Sequence, residues 1–203
     1  MMRKSFSSKK IWSSMLVRIF PLLVVSFSLS TVASAQRDYF TPEEVELIRE
    51  AQEIDHRIDI LVHAMDRRFA VLNLNVSPRK RVNSKKSEEW GELPSGSRLQ
   101  LLYDIKRIME KAVDDIDSLA ERPESAVIYD DPKEKKTKGF ADLFPKAVRE
   151  LAAAQRYGPV LKSELDKKND MSEKGSILDS LQMCDEIIAA VAKLPAEVKK
   201  PKK

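Results

Sequence analysis

The two histidines of the chain, His56 and His63, are the residues from which metal or acid-base chemistry would have to start. Asp59 precedes His63 by four positions and Glu53 precedes His56 by three, and these spacings place each pair on one face of a helix. An imidazole and a carboxylate so placed supply two ligands for a divalent ion such as zinc. The sequence therefore predicts, as one alternative, a metal site completed across a subunit interface. Its ligands would be His56, His63, Asp59 and Glu53.

The competing interpretation of these pairs is a solvated helix face with local ion pairs. Such spacings are common on charged helices, so they are not specific for a metal. Both histidines fall nearly opposite the apolar stripe of their helix, which predicts that they face away from the core.

Other catalytic patterns do not occur in the sequence. The only Glu-x-x-His match is Glu53–His56, and there is no haem-attachment motif, no Gly-x-Ser-x-Gly and no phosphate-binding glycine loop. The single cysteine, Cys184, falls on an apolar stripe and is predicted to be a buried structural residue. We therefore predict a non-enzymatic protein without a cofactor.

A basic segment followed by an aromatic residue is the other candidate contact. Arg79, Lys80, Arg81, Lys85 and Lys86 precede Trp90 within a polar stretch from 77 to 97. Cationic side chains beside an amphipathic ring suit anionic lipid head groups or envelope polymers. The alternative is a loop that is merely solvated.

Residues 1–35 have the pattern of a cleavable secretory signal. Basic residues without any acidic one precede an apolar run from Ile19 to Leu29, and small residues at Ala33 and Ala35 precede Gln36. Arg18 leaves this run too short for a membrane span of about 20 residues. The pattern predicts cleavage after Ala35, a periplasmic or secreted location, and no transmembrane span in the mature chain.

The charge of the chain depends strongly on that signal. The chain has 36 Lys and Arg against 32 Asp and Glu, and five of the basic residues but no acidic one lie in residues 1–35. The mature part is therefore near neutral, which argues against nucleic acid as a partner. An anionic envelope component or another protein remains as the predicted partner.

Apolar periodicity predicts four helices joined by polar connections. The first begins after Thr41 with a capping box to Glu44 and runs about eight turns, to near Leu72. The second begins after Ser97, with Gln100 as capping partner, and ends at Arg122. The third is predicted to begin with Asp142 as its cap, with Pro145 in its first turn and a kink or break at Gly158–Pro159, and the last to begin near Ser176.

Four helices with one apolar face each are best buried together. We predict an all-α fold, specifically an antiparallel up-down four-helix bundle with a long loop after the first helix. The predicted organisation is a signal at 1–35, one helical-bundle domain at 36–194 and a disordered basic tail at 195–203. The predicted function is that of an exported interaction or envelope-associated module, with a periplasmic metal-binding protein as the alternative.

Overall fold

The computed structural model describes residues 38–77, 89–125, 129–131, 136–152, 154–167 and 170–194. The predicted signal, the five basic residues before Trp90 and the predicted tail lie outside these residues. The helices are α1 (Pro42–Glu50), α2 (Ile54–Val71), α3 (Arg98–Glu121), α4 (Phe140–Leu151), α5 (Ala154–Leu165) and α6 (Met171–Ala192). The fold of the described part is all-helical apart from a short ribbon, so the predicted all-α class is confirmed.

Both predicted capping boxes are present. The Thr41 side chain accepts from the backbone of Glu44, whose carboxylate accepts from the backbone N–H of Thr41. Ser97 and Gln100 form the same reciprocal pair at the start of α3. Two donors that have no partner within the helix are thereby satisfied at each start.

The first predicted helix is interrupted, which corrects the prediction of one continuous helix. Helix α1 ends at Glu50 and α2 begins at Ile54, with Ala51 in an extended conformation between them. The carbonyl of Ala51 accepts from Nε of the Arg57 side chain, 3.0 Å away. A carbonyl without its helical partner is thus satisfied by a side chain, which makes the break tolerable.

The third predicted helix also begins and breaks elsewhere than predicted. Helix α4 starts at Phe140 with Gly139 as N-cap, so Asp142 lies in the first turn and Pro145 falls beyond it. The interruption lies between Leu151 and Ala154, not at Gly158–Pro159, and Pro159 is inside α5. Because α5 begins only five residues before Pro159, the missing N–H removes one bond near the start of the helix.

The last helix begins earlier than predicted. Asp170 caps α6 by accepting from the backbone N–H of Glu173, and the helix starts at Met171 rather than near Ser176. Within the connection that follows α3, Tyr129–Asp131 (β1) and Lys136–Lys138 (β2) pair as an antiparallel ribbon that the sequence did not predict.

One apolar core joins the helices. Helix α2 packs against α3 and α4, while α6 packs against α3 and α5. Arg98 and Lys106 of α3 contact Glu173 and Asp179 of α6, respectively, so these neighbours run in the same direction. The C-terminal ends of α3 and α6 therefore lie at the same end of the molecule. None of the helices in the described part is long and apolar enough to cross a membrane.

Candidate functional site

The predicted metal ligands lie along the first half of α2 and just before it. His56 is exposed, whereas Asp59, Glu53 and His63 are half-buried. Among the described residues, no group of three or more His, Cys, Asp and Glu side chains is placed to hold a metal ion. A site completed by a second subunit would supply ligands from outside this chain, so the metal site stays a prediction.

Trp90 is not a free side chain of a loop. Its ring is half-buried and meets the imidazole of His63 edge-on, with 4.2 Å between the ring centroids. The guanidinium of Arg67 lies 5.6 Å from the centre of the same ring. The aromatic part of the predicted envelope contact is thus engaged within the molecule. Its five basic residues, Arg79, Lys80, Arg81, Lys85 and Lys86, lie outside the described residues.

A buried charged cluster holds this region together, and we call Glu44, Arg67 and Arg68 the N-terminal cluster. Glu44 is 0 % exposed, Arg67 6 % and Arg68 1 %. One carboxylate oxygen of Glu44 accepts from both guanidiniums, at 2.8 Å from Arg67 and 2.5 Å from Arg68. A buried charge requires such pairing, since an unpaired one costs several kcal/mol.

The two arginines of the N-terminal cluster also bind backbone. Arg67 donates to the carbonyls of Gly91 and Glu92, and Arg68 donates to that of Tyr39. Gly91 adopts φ of +59°, and a Cβ there would lie 2.6 Å from the side chain of Glu43. The left-handed backbone favours glycine, and any other residue would also have to displace the Glu43 side chain. The cluster therefore fixes α1 and the segment before α3 onto α2, which is a structural role.

Cys184 is buried on the inner face of α6, as predicted. Burial raises the pKa of its thiol to about 12, and the nearby Asp185 adds to the increase. Its Sγ lies 3.9 Å from the sulfur of Met109. A thiol that remains protonated at neutral pH is a poor nucleophile, so Cys184 serves packing.

A cavity with a volume of about 230 Å³ lies elsewhere, between α3, α4 and α6. We call it the groove. Its apolar walls are Val113 and Ile116 of α3, Phe144, Val148 and Leu151 of α4, and Ile187 of α6. Ala190 lies at its edge, and two carboxylates, Asp117 and Glu186, complete the lining.

Of the three helices that form the groove, α3 and α6 carry only negative charge beside it, whereas α4 carries both signs. Residues 112–121 of α3 and 175–192 of α6 contain seven Asp and Glu but no Lys or Arg. Lys111 pairs with Asp115 and Lys106 with Asp179, both away from the groove lining. Arg122 and Lys193 follow only at the C-caps. Because a helix C-terminus already carries partial negative charge, the edges of the groove that α3 and α6 form are anionic.

Sequence patterns did not identify the groove. Val113, Phe144 and Ala190 lie far apart in the chain and look like ordinary members of apolar stripes. The sequence signal that was available is the charge distribution, since long acidic helix ends without Lys or Arg are visible in the sequence itself.

Comparisons with known proteins give no relative of this chain. No protein-family model matches it, and neither a curated protein sequence nor a solved structure is significantly similar to it. The candidate site therefore rests on the geometry and the charge of the groove.

Proposed function

We propose that the chain is an exported, non-enzymatic helical-bundle protein that acts as an interaction module at the cell envelope, with the groove as its contact surface. The observation that carries this proposal is the groove itself, an apolar depression between three helices with two carboxylates in its lining. Concave apolar surfaces with a few polar groups are the usual form of binding sites.

The size of the groove favours a macromolecular partner over a small substrate. Its volume of about 230 Å³ is below the range of about 300–1,000 Å³ that is typical of ligand pockets. A space of this size accommodates one or two apolar side chains of a partner. Such anchors, seated in desolvated pockets, supply most of the affinity of protein interfaces.

The export part of the proposal is supported by the signal pattern of residues 1–35. Expression of the full chain in a bacterial host, followed by fractionation and mass spectrometry, tests it. We expect a periplasmic or released product whose N-terminus is Gln36. A cytoplasmic product that retains Met1–Ala35 would contradict export and, with it, the proposed location at the cell envelope.

Site-specific photo-crosslinking tests the groove as a contact surface. A photoreactive phenylalanine analogue replaces Ala190 at the edge of the groove or, as a matched control, the neighbouring Ala189, which is exposed and does not line the groove. In the exporting cells we expect discrete adducts from position 190 that are weak or missing from position 189. Adducts of equal pattern and yield at both positions would refute the proposal.

A further inference from the structure

We propose that the partner of the groove is a cationic amphipathic helix, whose apolar residues enter the groove while its lysine or arginine side chains meet the surrounding carboxylates. This inference rests on the proposed function and adds the class of partner. The juxtaposition that carries it is an apolar groove between the C-terminal segments of two parallel helices, α3 and α6, with the carboxylates of Asp117 and Glu186 in its lining.

The carboxylates around the groove are the first argument for a cationic partner. Asp117 and Glu186 belong to the groove lining, and Asp114 and Glu121 lie on the same edge of α3 as Asp117, three and four residues away. Like charges this close repel one another, and carboxylates near a helix C-terminus are further disfavoured by the helix dipole. A cationic partner relieves both penalties, whereas an anionic one increases them.

The apolar walls of the groove are the argument for a helical partner. Val113 and Ile116 lie on one helix, Phe144, Val148 and Leu151 on a second, and Ile187 on a third. A groove between helices receives a helix whose apolar residues recur at i, i+3 or i+4, and i+7. The same periodicity places basic residues along both flanks of that apolar face, where they reach the carboxylates of α3 and α6.

The chain's own basic tail is the main rival occupant. Residues 195–203 contain four lysines and directly follow α6, so they are long enough to reach the groove at about 3.3 Å per residue. Val198 is the only apolar side chain of that tail larger than Ala or Pro. Val198 supplies a single apolar side chain, whereas a helix with apolar residues at i and i+4 supplies the two that the groove accommodates, so a separate helix is the better occupant.

A peptide titration on the purified processed chain tests the inference. The probe is a fluorescent 18-residue helix with leucines at i, i+4, i+7 and i+11 and lysines on both flanks. One control peptide carries glutamate in place of every lysine, and another has the lysine and leucine residues scrambled. We expect saturable binding of the first peptide, weakening as salt rises from 20 to 300 mM because the contact is partly between exposed charges.

Four variants distinguish the groove from general electrostatic attraction. Ala190→Trp is expected to fill the edge of the groove and abolish binding, while its matched control Ala189→Trp leaves binding unchanged. The double variant Asp117→Asn/Glu186→Gln should weaken binding about fivefold at low salt, since exposed ion pairs contribute about 0.2–1 kcal/mol each. Circular dichroism checks that each variant keeps its helical content. A chain that ends at Leu194 should bind as the longer chain does.

Several results would overturn the inference. Equal binding of the glutamate peptide excludes a cationic partner, and equal binding of the scrambled peptide excludes a helix. Binding that appears only in the chain ending at Leu194 identifies the tail as the occupant. If the lysine peptide fails to bind while position 190 still gives adducts in cells, the class of partner is wrong and the interaction module stands. If both fail, the groove is not a contact surface.

Discussion

Removal of the carboxylate of Glu44 is the most informative single perturbation of this fold. Glu44 is 0 % exposed and is the counter-charge of two guanidiniums that are themselves buried, those of Arg67 and Arg68. The same carboxylate completes the capping box with the backbone of Thr41. In Glu44→Ala, two positive charges remain inside the protein without a counter-charge and keep only their hydrogen bonds to backbone carbonyls.

The expected loss of stability is large. Breaking a buried ion pair by removing one partner costs about 3–5 kcal/mol, because the remaining charge is left desolvated. Domains of this size are stable by about 5–15 kcal/mol, so the variant loses a major fraction of its free energy of unfolding. With a urea dependence of about 2 kcal/mol per molar, the unfolding midpoint should fall by about 2 M.

Urea unfolding of a chain that begins at Gln36, followed by circular dichroism and by the fluorescence of Trp90, measures this change. Trp90 lies over Arg67 and therefore reports on the environment of the N-terminal cluster. Glu46→Ala is the matched control. It removes a glutamate of the same helix whose ion pair with Arg49 is exposed, at 59 % and 69 % of the two side chains, and we expect a change below about 0.5 kcal/mol.

Equal stability of the two variants would refute this account of the cluster. A second test keeps the conclusion independent of a failure to fold. Adding Arg68→Met to Glu44→Ala removes one uncompensated charge and should restore part of the lost stability, as expected for residues in direct contact. If the double variant is as unstable as the sum of the single variants, Glu44 and Arg68 do not interact energetically.

Three further predictions follow from other parts of the structure. Tyr157→Phe removes a buried hydroxyl that lies 2.7 Å from Oδ1 of Asp66 and 3.1 Å from the Val62 carbonyl. It should lower the free energy of unfolding, measured in urea, by about 1–2 kcal/mol, whereas the control Tyr103→Phe, at an exposed tyrosine, should leave it unchanged. Burial raises the pKa of the Cys184 thiol to about 12, so the unfolded chain loses this proton at lower pH than the folded chain does. The contribution of Cys184 to stability is therefore full below pH 9 and lost between pH 9 and 12. Cys184→Ala should flatten the decline in stability over that range, and an unchanged decline would contradict the assignment. A metal ion bound at His63 should change the fluorescence of Trp90, since the ring centroids are 4.2 Å apart. If titration with zinc, copper or nickel changes the Trp90 emission no more than it does in His56→Ala/His63→Ala, the predicted metal site is excluded.

Local features of the fold were predictable from the sequence, and features set by distant contacts were not. The capping boxes at Thr41 and Ser97 depend on residues three positions apart, so the sequence contains all that determines them. The break after Glu50 depends on the side chain of Arg57 and on the seating of α1 against α2. Periodicity continues across that break and could not reveal it.

The same distinction between local and distant contacts applies to the candidate site. Arg67 and Arg68 occur in a helix whose apolar stripe was predicted correctly, but their burial depends on Glu44 and on the carbonyls of Gly91 and Glu92. The groove needs three helices to form at all. Its position could not be derived without knowing that α3 and α6 run parallel as neighbours.

The N-terminal cluster also has a consequence for the order of folding. Glu44 contacts Arg67 and Arg68 across only 23 and 24 residues, whereas Tyr157 reaches Val62 across 95. Closing the longer loop costs about 1.2 kcal/mol more in chain entropy, as a fourfold increase in length corresponds to two doublings. Contacts of short sequence separation form early. The segment from α1 to α2 is therefore able to assemble as a nucleus before α5 docks onto it.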